Sequence, residues 1–449
     1  MKKIKFYLLL ILARFLSKII KLHGKSSGTS FIGLVMLKID PKFLKKVSNY
    51  MNTCISVTGT NGKTTTSGIL AHILDATHHS VIHNSKGANM LSGIANTFAL
   101  GINPFKKFDF AVLESDEAYL TKLYDDIDSD YLVVTNLFRD QLDRYGELST
   151  TAKKIQNAID KNKNIQLILN ADDPLVVNFK PMGDKEPILY GFNKVEFANK
   201  NIDSKAPAEA ITCPWCGRDL EYEKRFYAQQ GHYFCKCGYK RPKCKYDADV
   251  IIYDTYSEIN LSVKDKNYTF KIPLLGLYNA YNALAAIAVA FENGITEIQD
   301  ALNSYHSEFG RSEVREINGH KAIIQLIKNP TGASEVLKTI DKDSNILIII
   351  NDNYADGRDV SWLWDADFEL LEGSSNSIIT SGSRAYDMAV RLKIANLPVE
   401  KFLIKEDFDG LTEAIKNSKE NKVYILATYT AMINYRKYLH SKGYIDKLW

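Results

Sequence analysis

The sequence predicts an α/β protein made of doubly wound, mostly parallel sheets in two successive domains. Three observations carry that prediction. A glycine-rich loop, Val57-Thr-Gly-Thr-Asn-Gly-Lys-Thr-Thr-Thr66, sits between a β-branched run and a stretch with helical spacing. Apolar, strand-like runs then alternate with helical stretches along most of the chain. After Phe309-Gly-Arg-Ser-Glu313 the same alternation begins a second time. At 449 residues the chain exceeds what one core organises, so two or three domains are expected.

The composition, 45% apolar and 24% charged, is that of an ordinary globular protein. A net charge of +4 without a basic, aromatic-interleaved stripe argues against a nucleic-acid partner. The charge is nevertheless uneven. Residues 1–45 form a basic N-terminal segment in which Lys2, Lys3, Lys5, Arg14, Lys18, Lys21, Lys25 and Lys38 precede the first acidic residue. Its apolar run Phe6-Tyr-Leu-Leu-Leu-Ile-Leu-Ala13 is cut by Arg14, well short of the ~18 residues a membrane span needs, and no small-residue cleavage site follows. Leu8, Leu12, Phe15, Leu16, Ile19 and Ile20 fall on a helical face. That face fits either a helix packed onto the protein or one that also touches an anionic membrane surface. With no export signal the chain is expected in the cytoplasm, at the inner face of the cell membrane under the second reading.

The first functional element is the glycine loop. Cys54-Ile-Ser-Val57 reads as a buried strand and Ser67-Gly-Ile-Leu-Ala-His-Ile-Leu74 as a helix, the context a phosphate-binding loop requires. Thr58, Gly59, Thr60, Asn61, Gly62, Lys63, Thr64 and Thr65 are expected to cradle the phosphates of ATP. Backbone N–H groups at the helix start point at phosphate oxygens, Lys63 adds a charge, and Thr64 offers a hydroxyl to Mg²⁺. Position 57 is Val where the strict pattern has Gly.

Further strands are expected at Phe110-Ala-Val-Leu113, Tyr131-Leu-Val-Val-Thr135 and Gln166-Leu-Ile-Leu169. In such a sheet, ligands sit beyond the carboxyl ends of the strands. Glu114-Ser-Asp-Glu117 follows the first of these strands, and Glu114 is the expected Mg²⁺ carboxylate. The alternative is a solvated acidic tip. Asn136 and Asp140 follow the second strand and could line the same crevice. Arg139, Asp143 and Arg144 fit that crevice or a set of surface ion pairs equally.

Between residues 201 and 245 the rhythm breaks. Cys213-Pro-Trp-Cys216 and Cys235-Lys-Cys237 form two tight pairs eighteen residues apart. Four thiolates so arranged suit a structural, tetrahedral zinc. The second pair is one residue shorter than a regular knuckle, so Cys244 and His232 stand as substitutes. Cys54 lies in a buried strand and is expected to be inert. His72, His78, His79 and His83 lack acids at ligand spacing and are read as ordinary helix and turn residues. Val250-Ile-Ile-Tyr253, Tyr268-Thr-Phe-Lys-Ile272 and an alanine-rich helix from Leu277 follow. The second domain offers strands at Asn345–Ile350, Ser377–Thr380 and Val423–Ala427. After the first of them comes Asn351-Asp-Asn-Tyr-Ala-Asp-Gly-Arg-Asp-Val-Ser-Trp362, a functional loop or merely a solvated one.

Together these motifs resemble the Mur ligase superfamily, ATP-dependent enzymes that form amides through acyl phosphates. The Thr58-Gly-Thr-Asn-Gly-Lys-Thr64 loop, Glu114, and the Gly276-x-x-Asn279-x-x-Asn282 pattern carry the likeness. It implies ATP contacts at Asn279 and Asn282. It also implies a central ATPase domain over residues 46–308, with a zinc ribbon inserted at about 206–245, and a C-terminal Rossmann-like α/β domain over 309–449. About fifty residues before the loop leave no room for the UDP-binding domain of ordinary members, so a substrate without a UDP handle is expected.

More narrowly, the chain is similar to the synthetase subunits of lipid II isoglutaminyl synthase. Asn84–Met90, Asn136–Asp140, the cysteine ribbon, Lys328-Asn-Pro330, Asp356-Gly-Arg-Asp-Val-Ser-Trp362 and Ala427–Met432 carry that likeness. Gln141 stands where other Mur ligases have histidine. The resemblance implies amidation of the α-carboxylate of D-glutamate in the lipid II stem peptide. Its ammonia comes from glutamine through a GatD-like glutamine amidotransferase in a heterodimer, since no thiol of this chain suits that task. It further implies that Asp359, rather than Asp356, reaches the partner's Cys–His pair. A folylpolyglutamate- or cyanophycin-type ligase is the alternative.

Overall fold

A computed structural model describes residues 2–23, 30–85, 88–138, 148–198, 212–253, 255–306, 311–342, 344–374, 378–398, 402–405, 407–416 and 422–445. Its strands are β1 (Met51–Thr58), β2 (Val81–His83), β3 (Phe108–Glu114), β4 (Tyr131–Val134), β5 (Gln166–Asn170), β6 (Ile188–Phe197), β7 (Glu221–Tyr227), β8 (Gln230–Phe234), β9 (Tyr246–Ile252), β10 (Ser257–Val263) and β11 (Lys266–Ile272). Beyond residue 310 lie β12 (Arg311–Ile317), β13 (His320–Leu326), β14 (Asn345–Ile349), β15 (Ile378–Ser381), β16 (Phe402–Ile404) and β17 (Lys422–Ala427).

The first sheet runs β11-β10-β9-β6-β5-β4-β1-β3-β2. It is parallel from β2 to β9 and ends in two antiparallel strands, β10 and β11. β1 lies between β3 and β4, so the tips of all three open onto the loop after Thr58. One face is covered by the helices Lys63–Ala76 and Leu277–Glu292, where Ile69, Ile73, Ala283 and Ile287 are fully buried. The small alanines let these helices approach closely. The other face carries the N-terminal helices and Leu91–Gly101, packed through Leu10, Met36 and Phe98. The closest approach there is at Gly33, where an added Cβ would lie 1.8 Å from the Ser92 carbonyl oxygen.

The second sheet, β12-β13-β17-β14-β15-β16, is parallel except for the β12–β13 hairpin. Each strand expected beyond residue 309 falls in it, within two residues of its expected ends.

The N-terminal segment is helical and packed onto the protein, as expected, but through a different face. It folds as helices Lys2–His23 and Phe31–Ile39, and the first buries Phe6, Leu9, Leu10 and Ala13. Of the expected face, Leu12, Leu16 and Ile20 are half-buried while Leu8 and Phe15 stay exposed. The helix has two apolar faces, and the core takes the one centred on Leu9 and Leu10.

The tip of β5 joins the inserted ribbon to the sheet. Asp172 is fully buried and accepts bonds from Arg241 Nε (2.5 Å), Tyr281 Oη (2.7 Å) and Phe192 N (2.8 Å). Asp173, equally buried, accepts from Leu137 N (3.1 Å) and Leu175 N (2.9 Å). Burial outweighs these bonds and pushes the Asp173 carboxyl up to about 6.

An acid whose folded pKa is raised binds its proton more tightly in the native state. Its contribution is therefore complete below about pH 4 and is lost as pH rises through about 6. The stability difference between wild type and Asp173→Asn should fall by on the order of 3 kcal/mol over that window and stay level above it. Urea midpoints measured across pH check this. A difference that rises through the window contradicts it.

Candidate functional site

The phosphate loop takes its shape from β4. Asn136 Oδ1 accepts from Asn61 N (2.8 Å), while its Nδ2 donates to the Asn61 carbonyl (3.0 Å). Thr135 Oγ1 also donates to that carbonyl at 2.7 Å. Gly62 begins the helix at φ +86°, and a Cβ there would lie 2.0 Å from Asn282 Oδ1. Only glycine tolerates both the left-handed backbone and that contact. Asn282 Oδ1 accepts from Thr66 Oγ1 (3.3 Å) and its Nδ2 reaches Asn279 Oδ1 (3.3 Å). The two asparagines therefore brace the loop and the helix it opens. The first-turn N–H groups of that helix form an anion site.

Lys63 is buried at this site. Its Nζ donates to the carbonyls of Gly59 (2.5 Å) and Thr60 (3.2 Å) and lies 3.2 Å from Glu117 Oε1. Burial raises the Glu117 carboxyl, and Lys63 opposes that shift. The acids after β3 are thus no solvated tip, because Glu114, Asp116 and Glu117 are all buried. Asp116 caps the helix Glu117–Leu123 by accepting from Ala118 N (2.9 Å). Glu114 is positioned by Asn84, whose Oδ1 accepts from Glu114 N (2.8 Å), and by Asn89, which donates to Oε1 (3.2 Å). Glu114 Oε2 is buried with no hydrogen-bond partner among the described residues. A buried carboxylate oxygen beside a phosphate loop is a donor of the kind that suits Mg²⁺.

The crevice is closed by two other parts of the chain. From the ribbon, Tyr227 packs on Phe138 (5.8 Å between centroids) and Tyr281 (5.7 Å). Gln229 next to it donates to the Leu137 carbonyl at 2.6 Å. From the second sheet comes the turn after β13. Asn329 Nδ2 donates to Asn61 Oδ1 (3.0 Å), and its Oδ1 caps the helix Pro330–Lys338 at Gly332 N (2.8 Å). Lys328 Nζ lies 3.5 Å from the Thr60 carbonyl. A cleft opens between these parts, lined by Asn61, Phe138, Tyr227, Asn282, Lys328 and Glu335 among others.

The ribbon's cysteines converge away from this cleft. The Sγ atoms of Cys213, Cys216, Cys235 and Cys237 all lie within 4.8 Å of one another. The Cys213–Cys237 and Cys216–Cys235 separations are each 3.6 Å, close to the edge of about 3.8 Å in a tetrahedral zinc–thiolate site. The four residues therefore fit zinc, which would tie the two turns together. His232 instead bonds the Phe192 carbonyl (2.8 Å), and Cys244 is buried with Sγ 3.9 Å from the Pro242 carbonyl.

In the second sheet, Asp356 is buried, accepting from Thr430 N (2.6 Å) and Asn353 N (3.1 Å). Asp359 is half-exposed, with one oxygen accepting from Ser361 N at 2.8 Å. The loop is thus built around Asp356 and presents Asp359.

Comparison with known proteins now decides the lineage. Residues 57–226 and 216–290 match the Mur ligase middle domain, and residues 326–432 match the MurT ligase C-terminal domain. The chain is 37% identical over 423 residues to the MurT subunit of lipid II isoglutaminyl synthase from Staphylococcus aureus (strain COL), covering 90% of this chain and 94% of that one. The chain belongs to the MurT branch of the Mur ligases. The MurT subunit from Streptococcus pneumoniae (strain ATCC BAA-255 / R6) is 36% identical over 432 residues, covering 94% of each chain. In structure, a pseudomurein peptide ligase type C from Methanothermus fervidus superposes with a TM-score of 0.67 at 24% identity, over 91% of this chain and 84% of that one. MurF ligase from Thermotoga maritima in complex with ADP gives 0.61 at 15% identity, over 87% and 80%.

Within this MurT-branch fold, the structure gathers Gly59, Thr60, Asn61, Gly62, Lys63, Glu114, Asn136, Asn279 and Asn282 around one loop. Arg139, Asp140, Gln141, Asp143 and Arg144 lie outside the described residues. The histidines have ordinary partners: His72 bonds Ser304, His79 bonds Thr77, and His83 bonds Ser67. Sequence reasoning assigned no role to Glu117, Tyr227 or Gln229 and left the part played by Lys328 and Asn329 open. Lys328 and Asn329 adjoin a proline at a helix start, which was the available signal.

Replacing Glu114 by Gln should leave the urea midpoint nearly unchanged and lower Mg²⁺-dependent turnover on the order of 100-fold. Turnover within a factor of about two of wild type contradicts the assignment. A tight chelator that empties the four-cysteine site should weaken binding of a fluorescent ATP analogue at least about threefold, because the same ribbon holds Tyr227 and Gln229 at the cleft. Equal affinity in the stripped protein would show that the ribbon does not shape the cleft.

Proposed function

We propose that this chain is the synthetase subunit of a lipid II isoglutaminyl synthase, an ATP-dependent amide ligase of peptidoglycan biosynthesis. The near full-length match to MurT subunits from two organisms carries the reading. The match over residues 326–432 sets it above a folylpolyglutamate- or cyanophycin-type ligase. We take residues 46–308 as the nucleotide-binding domain and 309–449 as the domain that completes it.

The carboxylate oxygen of the D-glutamate α-carboxyl attacks the γ-phosphorus of ATP, and the bond to ADP breaks. Ammonia then adds to the acyl carbon, loses a proton and expels inorganic phosphate, leaving D-isoglutamine. In this scheme the helix start at Gly62 and Lys63 stabilises phosphate charge. Lys328 brings a second cation from the opposite sheet. Thr64 and Glu114 would hold Mg²⁺, which when bound neutralises charge on the phosphates.

Ammonia must come from elsewhere. A glutaminase needs a reactive thiolate, and burial pushes Cys54 up to about 12. Burial likewise raises the Cys244 thiol, and the other four sulfurs face one another. The partner we infer is a GatD-like glutamine amidotransferase, with Asp359 orienting its histidine. The half-exposed Asp359, on a loop anchored by Asp356, supports that assignment. Among the described residues no helix is long and apolar enough to cross a membrane. We place the enzyme in the cytoplasm, working on a lipid-borne substrate.

Co-expression with such an amidotransferase, followed by mass spectrometry of lipid II, tests the reading. Glutamine-dependent conversion of carboxyl to carboxamide is expected, and ATP hydrolysis with unmodified lipid II sinks it. Asp359→Asn should lower glutamine-driven amidation at least about 100-fold while amidation fed with ammonium salts stays within about twofold. Equal loss of both activities would remove Asp359 from the glutaminase site.

A further inference from the structure

The N-terminal helix Lys2–His23 carries an apolar stripe that no described part of the chain covers. Ile4 (63% exposed), Leu8 (60%), Ile11 (62%) and Phe15 (60%) project from it. At about 100° per residue they fall within about 60° of one another, roughly opposite the buried residues Phe6, Leu9, Leu10 and Ala13. One face of the helix is thus anchored in the core, and the other is presented outward. The next helix leaves Phe31, Leu34 and Ile39 exposed as well.

The charges around the stripe have one sign. Lys18 continues it by a further turn, and Lys5 and Arg14 flank it, all three exposed. Between residues 1 and 39 there are eight Lys and Arg and no acid. The first acid, Asp40, is buried and paired with Lys46. A second, separate segment meets the helix here. Arg14 Nη2 donates to the Ile102 carbonyl at 2.6 Å. The turn just beyond holds Phe105, 96% exposed, followed by the exposed Lys106 and Lys107.

From this surface we propose that the helix Lys2–His23 and the Phe105 turn dock the protein peripherally on an anionic lipid bilayer. The apolar stripe enters the acyl boundary and the lysines meet lipid phosphates. A second copy of the chain is the poorer occupant, since a two-fold interface through this stripe would set like charges against each other. Anchoring by one buried face fixes the orientation in which the rest of the molecule meets the lipid. The benefit to catalysis rests on the proposed lipid-linked substrate, whereas the docking itself does not.

The test is flotation of the full chain with phosphatidylcholine vesicles carrying about one third phosphatidylglycerol, without lipid II. Wild type should float with them, less so as salt rises, and should not float with pure phosphatidylcholine. Leu8→Glu/Phe15→Glu should lower partitioning at least about tenfold, with an unchanged circular dichroism spectrum. Should that variant misfold, Lys18→Glu/Lys106→Glu/Lys107→Glu, which touches only exposed side chains, should lower it comparably. Wild type that stays in solution, equal flotation on neutral vesicles, or variants that float like wild type overturn the proposal. So does lipid-free self-association that the variants abolish. Amidation of detergent-dispersed lipid II, read separately, tests the enzymatic assignment independently of docking.

Discussion

Everything at the nucleotide site depends on how Asn61 is held. Its backbone is clamped by Asn136 and Thr135 at the tip of β4, and its side chain is met by Asn329 from the second sheet. One residue thus ties the phosphate loop to its own sheet and to the opposite sheet. Such bonds join groups that are otherwise buried polar atoms, and each group left unpaired would cost about 1–3 kcal/mol. The loop's shape is therefore a property of both sheets together. In the proposed reaction the second sheet would contribute by position as much as by Lys328.

The same economy governs the charges. Lys63 lies between two carbonyls and Glu117, while Glu114 keeps one buried oxygen without a partner among the described residues. Two neighbouring acids thus differ in environment: one balances the lysine and the other keeps an oxygen that bonds to no described residue. Asparagines order Glu114 and the loop beside it. Asn84 and Asn89 hold Glu114, Asn136 holds Asn61, and Asn282 abuts Gly62. Neutral amides can orient charged groups without changing the net charge of the site.

Much of this was legible in the sequence because local pattern and tertiary role coincide. The strand, glycine loop and helix around residues 51–76 announce themselves by spacing, and the cysteine pairs by theirs. Glu114 could be singled out because it follows a buried strand directly. Tyr227 could not, because an aromatic in a short ribbon strand looks like core, and only the docking of the ribbon on Leu137 and Asp173 brings it to the cleft. Glu117 was hidden for a similar reason: burial of an acidic tip depends on helices packed over it. The N-terminal helix packs onto the protein as its pattern suggests, but through another face. With apolar residues on two faces, periodicity alone does not say which one the core takes.

In the proposed reaction, ATP activates a carboxylate as an acyl phosphate in the cleft between the two sheets. Isotope transfer tests it most directly. With the D-glutamate α-carboxylate of lipid II labelled by ¹⁸O, the active complex should release inorganic phosphate carrying one labelled oxygen per amide formed. Amide formation with unlabelled phosphate would rule out an acyl phosphate intermediate.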